Sequence, residues 1–331
     1  MPFTTRPLAG KQLKPIGLGC MSLSQAYLPL PSENDGVKLL NRAIDLGYDH
    51  LDTARLYGLG HNEALLSRVL KTRRDDVFLA SKCGINVDGP SRVIDCKPET
   101  VKKAVDTSLS TLGVDYIDLY YLHRRDFNVP IEDSVGALVE MQAAGKIGAI
   151  GLSEMSADTL RKAASVTQIA AMQTEYSLWT RNPELGVLET CTETGTAFVA
   201  FSPVARGALA RAVSNPEKLL EKDLRKNHPR FTEEHWPKNQ KLITAYEALA
   251  EEAGVTPAQL SLYWVLSQGD HVHAIPGTGS IPHLEENFAT LELSVSDDIL
   301  VKAGKLINQS TVSGHRYPEA MRKTIDTEDY I

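Results

Sequence analysis

Eight short apolar runs alternate with helix-patterned stretches along this chain, and no other feature narrows its fold so far. The expected strands are 16–19, a run ending at Asp52, 77–82, 117–123, 147–152, 170–173, 197–201 and 273–275. Between them apolar residues recur at helical spacing. Ser32 reads as the cap of a helix reaching about Leu46, with Val37, Leu40, Ala43 and Ile44 on one face. A helix after Asn62 carries Leu65, Leu66, Val69 and Leu70, and Pro98 opens another that runs to Leu112. Further helices are expected across Leu138 and Met141, from Ser156, over 183–194, 241–252 and 257–267, and from Pro282. Strict strand–helix alternation with a count of eight predicts an α/β fold, a single (β/α)8 TIM barrel spanning residues 1–331. An N-terminal β-hairpin around Gly10 and an extended C-terminal loop complete it. A doubly wound sheet also alternates, but it wants GxGxxG at its first helix, and Gly17-Leu-Gly19 supplies only a GxG.

Barrels of this kind do their chemistry at the C-terminal ends of the strands. Three consecutive expected strands end in an ionisable group: Asp52, Lys82 and His123, with Tyr57 on the loop after the first. Neighbouring strands lie roughly 5 Å apart, so these side chains should converge. A phenol titrates near 10, too high for efficient proton transfer at neutrality. An ammonium beside it favours the phenolate, and a carboxylate keeps that ammonium charged and aimed. An imidazole opposite can hydrogen-bond the same substrate oxygen. Such a set handles a carbonyl oxygen and its proton but contains no nucleophile, so a hydride must come from a cofactor. The loops after the seventh and eighth strands, from Phe201 to Leu209 and from Ile275 to Asn287, suit a phosphate-bearing one, the latter being glycine-rich and running into a helix. Ser153 and Gln173 are placed to bracket a carboxamide, and Phe201 offers an aromatic face.

With those residues in view, the sequence resembles the aldo-keto reductase superfamily over essentially its whole length. The matching pieces are Gly47-Tyr-Asp-His-Leu-Asp-Thr-Ala with Tyr57-Gly58 and Asn62-Glu63, Ser81-Lys82, Leu122-His123, Gly145 to Ser153, Gln173, Phe201-Ser-Pro203, and Ile275-Pro-Gly-Thr with Glu286-Asn287. The resemblance implies Tyr57 as general acid, Lys82 and Asp52 as its tuning pair, and His123 as orienting donor. It implies nicotinamide contacts at Ser153, Gln173 and Phe201. Phosphate contacts fall on Ser202, Pro203, Val204, Gly207 and Leu209, with Gly277, Thr278, Gly279, His283, Glu286 and Asn287 around the adenosine. The implied cofactor is NADP(H), with NAD(H) also admitted, because Gly279 and His283 stand where NADP-preferring members place Arg or Lys. A second departure is Glu154, where the family often has Asn. The expected activity is reduction of aldehydes or ketones to alcohols, in a branch near the pyridoxal reductases. Arg124, Asp126, Phe127, Trp179 and the tail from His315 to Ile331 are expected to border the substrate. A cofactor-bound regulatory subunit with slow turnover and a metal-dependent barrel hydrolase are the competing readings.

The formal net charge of -7 argues against nucleic acid or an anionic membrane as partner; the partner that the resemblance implies is a small-molecule carbonyl substrate. No apolar run approaches the roughly eighteen residues of a membrane span, and Met1 to Arg6 shows no secretory signal, so a cytoplasmic protein is expected; a monomer or weak homo-oligomer is expected as well. Cys20, Cys83, Cys96 and Cys191 show no CxxC spacing, which suits a reducing setting. His271 and His273 alternate but have no visible third partner, so no metal is expected. The polar segment 215–240 reads as a solvated excursion or, more pointedly, as a flap over a pyrophosphate.

Overall fold

The computed structural model describes residues 3–89 and 91–330; Met1, Pro2, Pro90 and Ile331, which the expectations for the whole chain and its tail included, lie outside them. A hairpin of β1 (Arg6–Leu8) and β2 (Lys11–Leu13) comes first. Then follow β3 (Leu18–Gly19), α1 (Glu33–Leu46), β4 (His50–Asp52), α2 (His61–Arg73) and β5 (Phe78–Cys83). A second hairpin, β6 (Ile85–Asp88) and β7 (Ser91–Ile94), precedes α3 (Pro98–Leu112). The alternation continues with β8 (Ile117–Leu122), α4 (Ile131–Ala143), β9 (Ile147–Ser153), α5 (Ala157–Ala164), β10 (Ala171–Glu175), α6 (Val187–Thr194) and β11 (Ala197–Phe201). After a long connection come α7 (Trp236–Glu252), α8 (Pro257–Leu266), β12 (Val272–Ile275), α9 (Ile281–Ala289), α10 (Asp297–Leu306) and the short α11 (Glu319–Arg322).

The strands β3, β4, β5, β8, β9, β10, β11 and β12 form one parallel sheet in that order. Its ends meet where Ile16 and Gly19 bridge to Ala274 and Gly277, closing the TIM barrel expected from the alternation. Gly19 is required at this seam, because a Cβ there would stand 2.7 Å from the carbonyl oxygen of Ile275.

Local signals set the helix ends. The Ser32 hydroxyl accepts from the Asp35 amide at the start of α1, and Gly47, with φ 100°, closes its end. Thr256 and Gln259 form a reciprocal capping box on α8. The hairpin β1–β2 plugs the lower mouth of the barrel, where Leu8 and Leu13 pack against Phe78, Ala171 and Ala197. Among the described residues no helix is long and apolar enough to cross a membrane. The four cysteines are free and buried. Burial raises every thiol above its ordinary value, that of Cys96 to about 12.

Three expectations need correction. The stretch 183–194 is not one helix: a 3-10 turn (Asn182–Leu185) is separated from α6 by the extended backbone of Gly186. Segment 215–240 is not a solvated excursion. Asp223, Arg225, His228, Phe231 and Trp236 are buried, because Phe231 stacks between Trp179 and Trp236 at 5.9 and 5.5 Å between ring centres. Its centre latches onto the loop after β3, through Leu224 N to Ala26 O at 2.8 Å and Leu28 N to Asp223 Oδ2 at 2.9 Å. Finally, β6–β7, α10 and α11 lie where no element was expected.

Candidate active site

Side chains on a strand alternate faces, so a residue two positions from a core-facing one points the same way. Phe78 and Ala80 belong to the inner cluster with Leu119, Tyr121, Ala171, Ala197 and Val199. The next inward positions upward are Lys82, His123, Gln173 and Phe201, and these line or underlie one cleft of about 350 Å³ at the strands' C-terminal ends. Apolar packing below thereby holds the ionisable groups above.

Lys82 is the hub. Its Nζ donates to Asp52 Oδ1, to the Thr53 carbonyl at 2.8 Å and to the Tyr57 hydroxyl at 3.1 Å. Gln173 Nε2 reaches Asp52 Oδ2 at 2.8 Å, which fixes the carboxylate from the opposite side. The Tyr57 and His123 rings meet edge to face with centres 5.9 Å apart. Tyr57 rides on a tight turn in which Gly58 and Leu59 are left-handed, and the Gly58 amide donates to Gln25 Oε1 at 3.1 Å. The Asn62-Glu63 pair anchors the surrounding backbone: Asn62 Nδ2 donates to Cys20 O and Ser24 Oγ, both at 2.8 Å, and Glu63 accepts from Ser81 Oγ at 2.7 Å.

Burial works against every charge here, and the neighbours decide how far. Burial alone would lower Lys82, but Asp52 and Tyr57 lift it above its ordinary value, so the ammonium persists at neutral pH. Burial raises Asp52 while Lys82 and Gln173 oppose. Tyr57 departs from expectation: burial outweighs the pull of Lys82, and its pKa lies above the ordinary phenol value. The phenol is therefore protonated at neutrality, the form a proton donor needs. His123 is driven well below its usual value by burial, then by Lys82 and the guanidiniums of Arg124 and Arg92, so its ring is neutral.

Residues fit to hold a dinucleotide line the rest of the cleft. Ser153, Gln173, Phe201, Ser202, Pro203, Val204 and Gly207 border it on one side, and Gly277, Thr278, Gly279, His283, Glu286 and Asn287 on the other. The Ser153 hydroxyl is buried without a partner, as a hydroxyl awaiting a ligand would be. Ser202, Ala205, Arg206 and Gly207 are all left-handed, which turns successive backbone groups into the cleft. A Cβ on Gly277 would stand 2.9 Å from Gly19 O, and the loop's amides lead straight into α9.

Not every expected residue is there. Leu209 is buried in the main core, away from the cleft lining. Trp179 is covered by Phe231, and the Arg230 guanidinium lies 5.8 Å from its ring. Asp126 is buried because its carboxylate accepts the amides of Cys96 at 3.0 Å and Asn128 at 2.9 Å. Phe127 is 58% exposed and outside the lining. Arg124 does border the cleft, as do Tyr317 and Met321 from the tail. Sequence reasoning missed Gln25, Tyr27, Ile85, Arg92 and Arg225. The Asp88-Gly89 pair between alternating residues was the available signal for the hairpin that brings Ile85 and Arg92.

The substituted Glu154 turns away from the cleft. Burial opposes its charge, but Arg316, bidentate at 3.0 and 2.8 Å, holds it below the ordinary carboxylate range. It also accepts from the Glu175 amide at 2.9 Å and from Thr327 at 3.3 Å. Glu175 in turn pairs with Arg206 at 2.7 Å.

The Aldo/keto reductase family model matches residues 15–303. A relative from Schizosaccharomyces pombe named aldo-keto reductase yakc [NADP(+)] is 40% identical over 96% of this chain and 95% of its own. A glycerol dehydrogenase structure from Gluconobacter oxydans superposes with TM-score 0.83 at 24% identity, covering 99% of this chain and 98% of that one. An aldo/keto reductase from Klebsiella pneumoniae in complex with NADP and acetate gives TM-score 0.72 at 25% identity, over 96% and 99%. With the family model spanning most of the chain and a curated relative at this level of identity, the chain belongs to the aldo/keto reductase family.

Proposed function

We propose that this protein reduces aldehydes or ketones to alcohols with NADP(H), Tyr57 giving the proton. The observation that carries the reading is the Lys82 ammonium held between Asp52 and the Tyr57 hydroxyl on the floor of the cleft. Phe201, Ser153 and Gln173 would hold a reduced nicotinamide, which when bound would supply a hydride for the carbonyl carbon. Tyr57 and the neutral His123 hydrogen-bond the carbonyl oxygen as negative charge develops on it, and Tyr57 releases its proton to that oxygen. Lys82 stabilises the tyrosinate left behind, and Asp52 keeps Lys82 aimed. The name of the fission-yeast relative and the NADP of the Klebsiella complex support the choice of nucleotide. A panel of pyridoxal, a nitrobenzaldehyde and short sugars, followed by nicotinamide absorbance with NADPH and with NADH, tests the reading. Tight nucleotide retention with negligible turnover across the panel would overturn it.

The pH profile of kcat/KM follows from the two shifts. His123 is already neutral below its ordinary value of about 6.5, so no limb should appear there. Reduction needs protonated Tyr57, whose pKa is raised, so activity should hold through about pH 9 and fall only above the ordinary phenol value of about 10. A limb near 6.5 in the carbonyl-reduction profile would contradict the assignment.

The latch over the cleft gives a further expectation. Asp223 joins Leu28 N at 2.9 Å to the Arg225 guanidinium at 2.7 Å, and that guanidinium lies 4.8 Å from the Tyr27 ring. Asp223→Ala removes these ties, so nucleotide should dissociate about tenfold faster, as stopped-flow fluorescence would record.

A further inference from the structure

The cleft has a cationic wall that the reading above does not use. Arg92 on β7 and Arg124 just after β8 both line it, together with Tyr57, His123, Leu56, Ile85 and Tyr317. Arg124 Nη1 donates to the His123 carbonyl at 2.8 Å, which holds its guanidinium beside the catalytic ring. Among the described side chains no carboxylate pairs with either arginine. Glu154, whose charge Arg124 helps to hold, has its oxygens taken by Arg316, the Glu175 amide and Thr327. Deeper in, Glu154 faces Arg316 first and Arg124 second, and Glu175 faces Arg206, Arg316 and Arg230, the last of which Asp329 also faces. Arg124 thus feels the field of Glu154 but has no carboxylate paired to it among the described side chains. Nor is this wall the phosphate cradle: β5 and β8 stand across the barrel from β11 and β12, whose following loops line the other side. A guanidinium in a partly dry cleft binds carboxylate or phosphate oxygens with paired N–H groups.

We propose that the substrates are carbonyl compounds carrying an anionic group, carboxylate or phosphate, held by Arg124 and Arg92 while the carbonyl oxygen meets Tyr57 and His123. This rests on the reductase reading. The redox step is unchanged: the carbonyl carbon gains the hydride, its oxygen gains the Tyr57 proton, and NADPH leaves as NADP⁺.

Matched pairs test it in steady-state NADPH oxidation: para-carboxybenzaldehyde against methyl para-formylbenzoate, and glycolaldehyde phosphate against glycolaldehyde. In the unaltered enzyme, kcat/KM should favour the anionic member of at least one pair by about tenfold or more. Arg124→Gln and Arg92→Gln should each cut that ratio about tenfold, whatever they do to absolute rates. The pair showing the preference identifies the anion as carboxylate or phosphate. Ratios near one with measurable turnover of the neutral members, or ratios unmoved in both variants, overturn the inference and leave the reductase reading standing. Failure of all four compounds to oxidise NADPH takes down both. Inhibition of the unaltered enzyme requires no variant to fold: benzoate should compete with the aldehyde far better than benzamide, and equal potency overturns the proposal.

Discussion

Tyr57→Phe is expected to lower kcat/KM for carbonyl reduction by roughly 10²–10⁴-fold, the range a positioned proton donor contributes, with NADPH affinity little changed. The substitution deletes one oxygen and little else. The phenyl ring keeps its edge-to-face contact with His123, and Lys82 keeps Asp52 and the Thr53 carbonyl as partners. Loss of rate therefore reports loss of the proton. Steady-state kinetics paired with a fluorescence titration of NADPH separate the two effects. A variant that turns over at near the parental rate would move the proton donor elsewhere; one that loses the nucleotide as well would make Tyr57 a packing residue.

The second large effect concerns stability. Arg316→Met leaves Glu154 ionised in the interior with its bidentate partner gone, and removing one member of a buried pair costs about 3–5 kcal/mol. Urea unfolding should read that loss directly. Adding Glu154→Gln to Arg316→Met should recover much of it, because the neutral amide no longer needs a counter-charge. Additive losses in the double variant would mean the two side chains are not coupled. Burial opposes both Glu154 and Glu175, yet the surrounding guanidiniums hold both below their ordinary values. Their contribution is thus complete above about pH 4.5 and is lost only as pH falls through the lowered values. The same arginine docks the tail, since Tyr317 beside it and Met321 line the cleft. KM for the carbonyl compound should accordingly rise in Arg316→Met.

Legibility in the sequence followed sequence distance. Asp52, Lys82 and His123 stood out because each ends a short apolar run, and strand alternation then carried all three to one mouth. The glycine-rich stretch from Gly277 to Ser280 was legible for the same local reason. Glu154 and Arg316 are 162 residues apart, and nothing in either neighbourhood announces the other. Trp179 and Asp126 were misplaced for another cause: an aromatic and an acid near strand ends suggest a pocket wall equally whether they face a ligand or the protein. Phe231 and the Cys96 amide decided that they face the protein. Segment 215–240 was misjudged on its polarity, although Phe231 and Trp236 give it an apolar anchor.

The four enclosed thiols have a consequence for how the molecule meets electrophiles. Electrophiles such as unsaturated aldehydes inactivate proteins chiefly by alkylating thiolates, and exposure and ionisation govern that attack. Cys20, Cys83, Cys96 and Cys191 are sealed from solvent and kept in the unreactive thiol form. Thiols so placed offer electrophiles neither exposure nor thiolate, the two things that alkylation at sulfur needs.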